Sequence, residues 1–174
     1  MAGNISARNK GMTNKILDIK SAIETSKKLK EEGKTIVLAG GCFDILHIGH
    51  IKFLKEAKTK GDILFIMLES DETITKLKGK DRPINLHQHR AEILAALQTV
   101  DNVIMMPKFE KDEEYDELIK NLKPDTIAAT KGDPFREHKE RQAKLINAKL
   151  VEVIETVSNQ STTKLFKLLS EEFI

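Results

Sequence analysis

A single cysteine, Cys42, leaves this 174-residue chain unable to form an internal disulfide and without the thiol set of a zinc cluster. The thiol is expected to be a small buried group incidental to any chemistry. Long apolar runs are absent too. No stretch approaches the ~20 residues needed to span a bilayer, and the N-terminus has no apolar signal region, so a soluble, cytoplasmic protein is expected. Charge of one sign is also missing. Charged residues make up 32% of the chain but sum to only +2, with no basic block to line a nucleic-acid groove. Neither nucleic acid nor membrane is an expected partner. Internal repeats and low-complexity segments are lacking as well.

What is present has the size and pattern of one α/β domain. Residues 1–14 carry Gly, Asn, Ser and Lys without periodic apolar positions, which predicts a flexible tail and places a single domain over 15–174. Ile16, Ile19, Ile23 and Leu29 mark an amphipathic helix that stops near Glu32-Gly33. Strands are then expected near 35–40, 63–68, 102–106, 125–130 and 149–154. Helices are expected near 48–60, 86–98, 112–121, 136–147 and 162–171. Strands separated by helices imply a Rossmann-like doubly wound α/β fold. Its parallel sheet would have about five strands, with helices on both faces. Ligands of such sheets lie beyond the carboxyl ends of the strands, near the switch in strand order.

The first expected strand, Ile36-Val37-Leu38, runs into Gly40-Gly41-Cys42-Phe43-Asp44-Ile45-Leu46-His47-Ile48-Gly49-His50, after which Ile51, Leu54 and Ala57 recur at helical spacing. A strand, a short glycine-bearing loop and a helix start make a phosphate site, because free backbone N–H groups and the helix dipole attract an anion there. His47 and His50, three apart, can approach one anionic centre from the same side. As a bare pair they also fit a structural role or half of a metal site, although no cysteine or HExxH glutamate supports zinc, and no metal site is expected. Lys76, Lys78, Lys80 and Arg82 place four cations at alternate positions after the second strand, which by spacing alone is a solvated loop. His87 and His89 diverge by ~200° on a helix and cannot share a metal. With His138 they are expected on the surface.

These residues resemble the HxGH nucleotidyltransferase superfamily. The words Gly41-Cys42-Phe43-Asp44-Ile45-Leu46-His47, Asp71 to Pro83 with Leu77-Lys78-Gly79 and Arg82-Pro83, and Ser161-Thr162-Thr163 are most similar to the heptose 1-phosphate adenylyltransferase domain. The resemblance runs from about Lys15 to the C-terminus. It implies that an acceptor phosphate attacks the α-phosphorus of a nucleotide in line, with pyrophosphate leaving. No general base is needed, since the nucleophile is already an anion, and the protein must hold two anions together and stabilise the extra charge. His47 and His50 take the family's role at the α-phosphate, and Lys78 matches the lysine that approaches the phosphates. Gly41, Cys42, Phe43, Asp44 and Gly49 belong to the nucleotide loop, with Asp44 expected more to cap the helix or hold the loop than to react. Gly132 and Asp133 lie where the family meets the nucleoside. Ser161 and Thr162 stand at a second helix N-terminus facing the phosphates, which without the resemblance is an ordinary N-cap. Lys76, Arg82 and Arg90 are candidates for the substrate phosphate, with a surface ion pair the equal alternative for Arg90.

Departures are specific. Asn159 stands where the family usually has glycine before Ser161-Thr162, and the loop after Asp133 is unlike the usual heptose-enzyme loop. Thr156 stands where glycerol 3-phosphate cytidylyltransferases carry arginine. The implied activity is transfer of AMP from ATP, escorted by Mg2+, to a heptose 1-phosphate-like sugar phosphate. The alternatives are a CTP-dependent cytidylyltransferase acting on a glycerol 3-phosphate-like acceptor, an FMN adenylyltransferase, or a non-catalytic nucleotide-binding sensor. Relatives are commonly dimers, so a homodimer is expected.

Overall fold

The computed structural model describes residues 15–155. The expected tail over 1–14 and the expected helix over 162–171 lie outside them. The elements in chain order are β1 (Ile16–Leu17), α1 (Ile19–Glu31), β2 (Ile36–Gly41), α2 (Ile48–Lys58), β3 (Ile63–Leu68) and α3 (Asp71–Lys78). They continue with α4 (His87–Ala95), β4 (Asn102–Met105), α5 (Asp112–Leu122), β5 (Thr126–Thr130), α6 (Arg136–Ile146) and β6 (Lys149–Ile154). All neighbouring strands pair parallel, in the order β1-β4-β3-β2-β5-β6. The α/β Rossmann-like sheet therefore has six strands where about five were expected. The addition is β1, two residues at the sheet edge beside Val103 and Ile104. Ile16 belongs to it and not to the first helix.

Alternation along the strands divides the core between the two faces. Val37, Ala39, Leu64, Ile66, Leu68 and Val103 pack on one side with Leu54 and Ala57 of α2 and Ala91 and Leu94 of α4. Ile36, Leu38, Phe65, Met67 and Ile104 pack on the other with Ala22 of α1, Leu118 and Ile119 of α5, and Ala143 of α6. Strands buried on both faces read as near-continuous apolar runs, as Ile63 to Leu68 does.

Caps set the helix ends. Asp18 accepts the Ser21 amide at 2.7 Å to start α1. Ser70 accepts the Thr73 amide at 3.2 Å to start α3. Helix α3 corrects the first part of the solvated loop expected from Lys76 to Arg82: Lys76 and Lys78 stand in its last turn. Gly79 ends it with φ +102°, where a side chain is strained.

Strand order reverses between β2 and β5, since the chain proceeds from β2 through β3 to β4 and then returns to the other side of β2. The carboxyl ends of β2 and β5 flank that crevice. Among the described residues no helix is long and apolar enough to cross a membrane.

Candidate active site

A cleft of about 230 Å³ occupies the switch point, lined by Gly40, Gly41, Cys42, Phe43, His47, Gly49, His50, Phe53, Thr130, Asp133, Lys139 and Ile154. A larger hollow of about 740 Å³ lies at the opposite ends of the strands, around Thr35, Asp125 and Lys149, and contains no motif residue.

The backbone turns sharply as it leaves β2. A Cβ on Gly41 would come within 3.0 Å of the Phe43 ring. Phe43 itself has φ +43°, a left-handed conformation that costs a non-glycine residue about 1–2 kcal/mol. The ring offsets that cost by burial in the core and by contact with His50 at 5.2 Å. The same turn directs Asp44 inward, where it is 1% exposed. Its carboxylate accepts the amides of Ile84 and Asn85, both at 2.9 Å, and pairs with Arg82 at 2.6 Å. Burial works against the charged form, but the Asn85 and Ile84 amides and Arg82 outweigh it and hold Asp44 below the usual carboxylate range. Asp44 ties the nucleotide loop to the segment after α3 and does not line the cleft.

His47 is the N-cap of α2. Its Nδ1 accepts the Gly49 amide at 3.2 Å, and Nδ1 of His50 accepts the His47 amide at 3.4 Å. The two rings stack at 3.9 Å, tilted 26°. With both Nδ1 atoms accepting, a neutral ring carries its proton on Nε2. Burial and the Lys78 charge lower His47, and burial together with His47 and Lys78 pushes His50 down to about 4. At neutral pH the site therefore offers two Nε2–H donors at a helix N-terminus, with Lys78 nearby. Such donors can take a phosphate oxygen and stabilise charge developing on it without giving up a proton.

A depressed histidine also couples stability to pH. The unfolded imidazole binds a proton near pH 6.5, the folded His50 only near 4, so stability falls as pH drops through that window. The non-titrating variant His50→Asn removes this loss. In urea unfolding, the wild type should lose about 2 kcal/mol relative to His50→Asn between pH 7 and pH 5. A constant difference across that range would show that His50 is not buried neutral.

Around this centre the expected residues separate. Gly41, Cys42, Phe43, His47, Gly49, His50 and Asp133 come together on the cleft. Lys78 is exposed at the end of α3, close enough for its charge to act on His47, His50 and Cys42. Lys76 is exposed on the same turn. Gly132 forms the turn before Asp133 with φ +77°. Ser161 and Thr162 lie outside the described residues.

Two arginines are corrected. Arg90 is fully buried, donating to the carbonyls of Asn85 (3.0 Å) and Cys42 (2.7 Å) and to Asp71 Oδ1 (2.7 Å). It is neither a surface pair nor placed to meet a substrate. Arg82, 4% exposed, is engaged with Asp44. Both brace the motif loop from behind, because a guanidinium fork satisfies several buried acceptors at once. His87 is corrected as well: half-buried, it lies 3.1 Å from the Leu68 carbonyl, whereas His89 and His138 are exposed.

Sequence reasoning missed Lys139, which lines the cleft and pairs with Asp133 at 2.6 Å. One lysine in a highly charged helix carries no signal, and only the packing of α6 against β5 and β6 brings it to the crevice. Among the described residues no three His, Cys, Asp or Glu side chains are grouped to hold a metal ion. The imidazole and ammonium groups on the cleft are not the oxygen ligands Mg2+ takes.

The family model for cytidylyltransferase-like proteins matches residues 38–172, from within β2 onward. The chain belongs to the cytidylyltransferase-like family. It is thus a nucleotidyltransferase, and the matched region starts at the strand that carries the histidine loop. The bifunctional protein HldE of Sulfurimonas denitrificans is 44% identical over 138 residues, 79% of this chain and 27% of that protein. HldE of Nitratiruptor sp. is 47% identical over 138 residues, again 79% of this chain and 28% of that one. The chain thus spans less than a third of the length of these relatives. Among solved structures, a lipopolysaccharide core biosynthesis protein from Thermoplasma volcanium is 32% identical with a TM-score of 0.56, covering 74% of this chain and all of that one. A pantoate-beta-alanine ligase from Francisella tularensis, 18% identical with a TM-score of 0.53, covers 91% of this chain and 78% of that one and shares the fold.

Proposed function

We propose that this cytidylyltransferase-like enzyme transfers AMP from ATP to a sugar phosphate of the heptose 1-phosphate type, with release of pyrophosphate. The observation that carries nucleotidyl transfer is the stacked pair of neutral histidines at the α2 N-terminus, opening on the cleft with Lys78 beside it. Adenylyl transfer to a sugar phosphate is supported by the motif words shared with the heptose 1-phosphate adenylyltransferase domain and by the HldE relatives.

In this reading the α-phosphate rests on the Nε2–H groups of His47 and His50, and the nucleoside lies toward Thr130, Asp133 and Lys139. Gly41, Cys42 and Phe43 supply the loop wall, and Ser161 and Thr162 serve the phosphates from the C-terminal segment. Lys78, with Lys76, meets the charge that builds as the acceptor oxygen attacks. Mg2+ enters on the ATP phosphates as part of the substrate. A cytoplasmic homodimer belongs to the same proposal.

The test is pyrophosphate release with ATP, CTP, GTP and UTP, each with Mg2+, against sugar 1-phosphates including heptose 1-phosphate, glycerol 3-phosphate and FMN. Turnover with ATP and a sugar 1-phosphate is expected. Turnover with CTP and glycerol 3-phosphate, or with FMN, would move the chain to another branch of the family. Nucleotide binding without turnover would make it a sensor.

A further inference from the structure

Directly after β3, on the side of β2 away from the nucleotide cleft, stands a carboxylate that the phosphate chemistry does not use. The Glu69 amide donates to the Gly41 carbonyl at 3.2 Å, so the residue sits beside the motif loop. Its Oε2 accepts the hydroxyl of Tyr115 at 2.9 Å. Tyr115 is the only tyrosine of the chain, and Phe109 holds its ring edge-on at 4.9 Å. Burial raises Glu69 above the usual carboxylate range, against the opposing pull of Tyr115 and Arg90. Its charge and that of Lys78 both reach Cys42, so acid and base flank one short stretch of loop.

A carboxylate next to a site for two phosphates is unfavourable unless it meets something other than phosphate. The partners it suits are hydroxyl groups, which donate to a carboxylate in charge-assisted bonds. Buried polar groups built for hydroxyls also discriminate strongly, because an acceptor lacking them leaves the groups unpaired. An ammonium group is the other donor a carboxylate attracts, but Lys76 and Lys78 on the neighbouring helix end repel it. We infer that Glu69 and Tyr115 form the hydroxyl-binding part of the acceptor site and select a polyhydroxylated phosphate ester. This rests on the nucleotidyl-transfer function proposed above. The reacting phosphorus over His47 and His50 then has the nucleoside on the β5 side and the acceptor polyol on the β3 side.

The experiment compares Glu69→Gln and Tyr115→Phe with wild type, using MgATP and the best sugar 1-phosphate of the panel, with phosphoethanolamine as an additional acceptor. Both substitutions keep side-chain size, and a melting curve checks folding. Each should raise the acceptor KM on the order of 10-fold and leave the ATP KM within about twofold, since one hydroxyl contact is lost on the acceptor side alone. Wild-type turnover with an unchanged acceptor KM in both variants would make the pair mere scaffold and overturn this inference while leaving adenylyl transfer intact. Better turnover of phosphoethanolamine than of any sugar phosphate would likewise overturn it. A wild type that binds ATP but releases no pyrophosphate with any acceptor would remove the proposed function and the inference with it.

Discussion

His47→Asn and His50→Asn each lower kcat by about 10²- to 10³-fold, the loss that follows removal of one preorganised donor from a charge-developing centre. Asparagine is chosen because its short amide can replace the Nδ1 contact and cannot reach as far as Nε2. At position 47 the structural task is to cap α2 by accepting the Gly49 amide, and asparagine is among the best N-caps. The melting temperature of His47→Asn therefore stays near wild type while turnover collapses. The ATP KM changes far less than kcat, because a donor that strengthens as charge builds contributes mostly to the transition state. The double variant should lose much less than the product of the two single effects, since both rings serve one phosphate group. Pyrophosphate release by the sugar phosphate assay measures all three. Rates within a few-fold of wild type in both single variants would show that the stacked histidines are a capping device only.

That duality explains why the site was legible in the sequence to the extent it was. A strand, two glycines and two histidines three apart can be placed without coordinates, because each residue type is constrained by local geometry: glycine where the loop is crowded, imidazole where a helix begins. A ligand site at the carboxyl end of the first expected strand followed from strand and helix alternation, whereas the strand order that makes that end the switch point is seen only in the structure. The second apolar face of the sheet also followed, since Ile63 to Leu68 can only be buried on both sides.

What escaped were features whose cause is not local. Strand β1 is two residues long and has no room to display alternation, so Ile16 was absorbed into the helix that follows. Helix α3 contains only Ile74 as a buried residue, and its caps, Ser70 and Gly79, are its clearest mark. Arg90 was expected to meet the substrate phosphate or to form a surface ion pair, yet it is enclosed by Asn85, Cys42 and Asp71 from three separate segments. Sequence spacing says nothing about such a meeting. Lys139 reaches the cleft in the same way, from a helix that the topology packs against β5 and β6. Arg82 shows a related effect. It stands in a run of four cations at alternate positions, but Asp44, 38 residues earlier, draws it inside.

That buried pair carries the other large effect. Asp44→Asn should destabilise the fold by about 3–5 kcal/mol, because it removes the charge opposite a guanidinium that has almost no access to water. The side chains are 0% and 3% exposed for Asp44 and Arg82, so solvent cannot replace the lost partner. The expected fall in melting temperature is roughly 10 °C or more for a domain of this size. Asp44 also accepts the Ile84 and Asn85 amides, so the same change loosens the connection between the motif loop and the segment leading to α4. Turnover at a temperature where the variant is still folded should fall as well, through displacement of Phe43 and the two histidines that follow. A double-mutant cycle with Arg82→Met separates the pair from the amide contacts. If the pair dominates, the double variant recovers part of the stability lost in Asp44→Asn, because neither charge is then left alone. If the amide contacts dominate, the two losses add. Thermal unfolding of the four proteins decides between these, and an Asp44→Asn variant within 1 kcal/mol of wild type would show that the loop does not depend on this carboxylate.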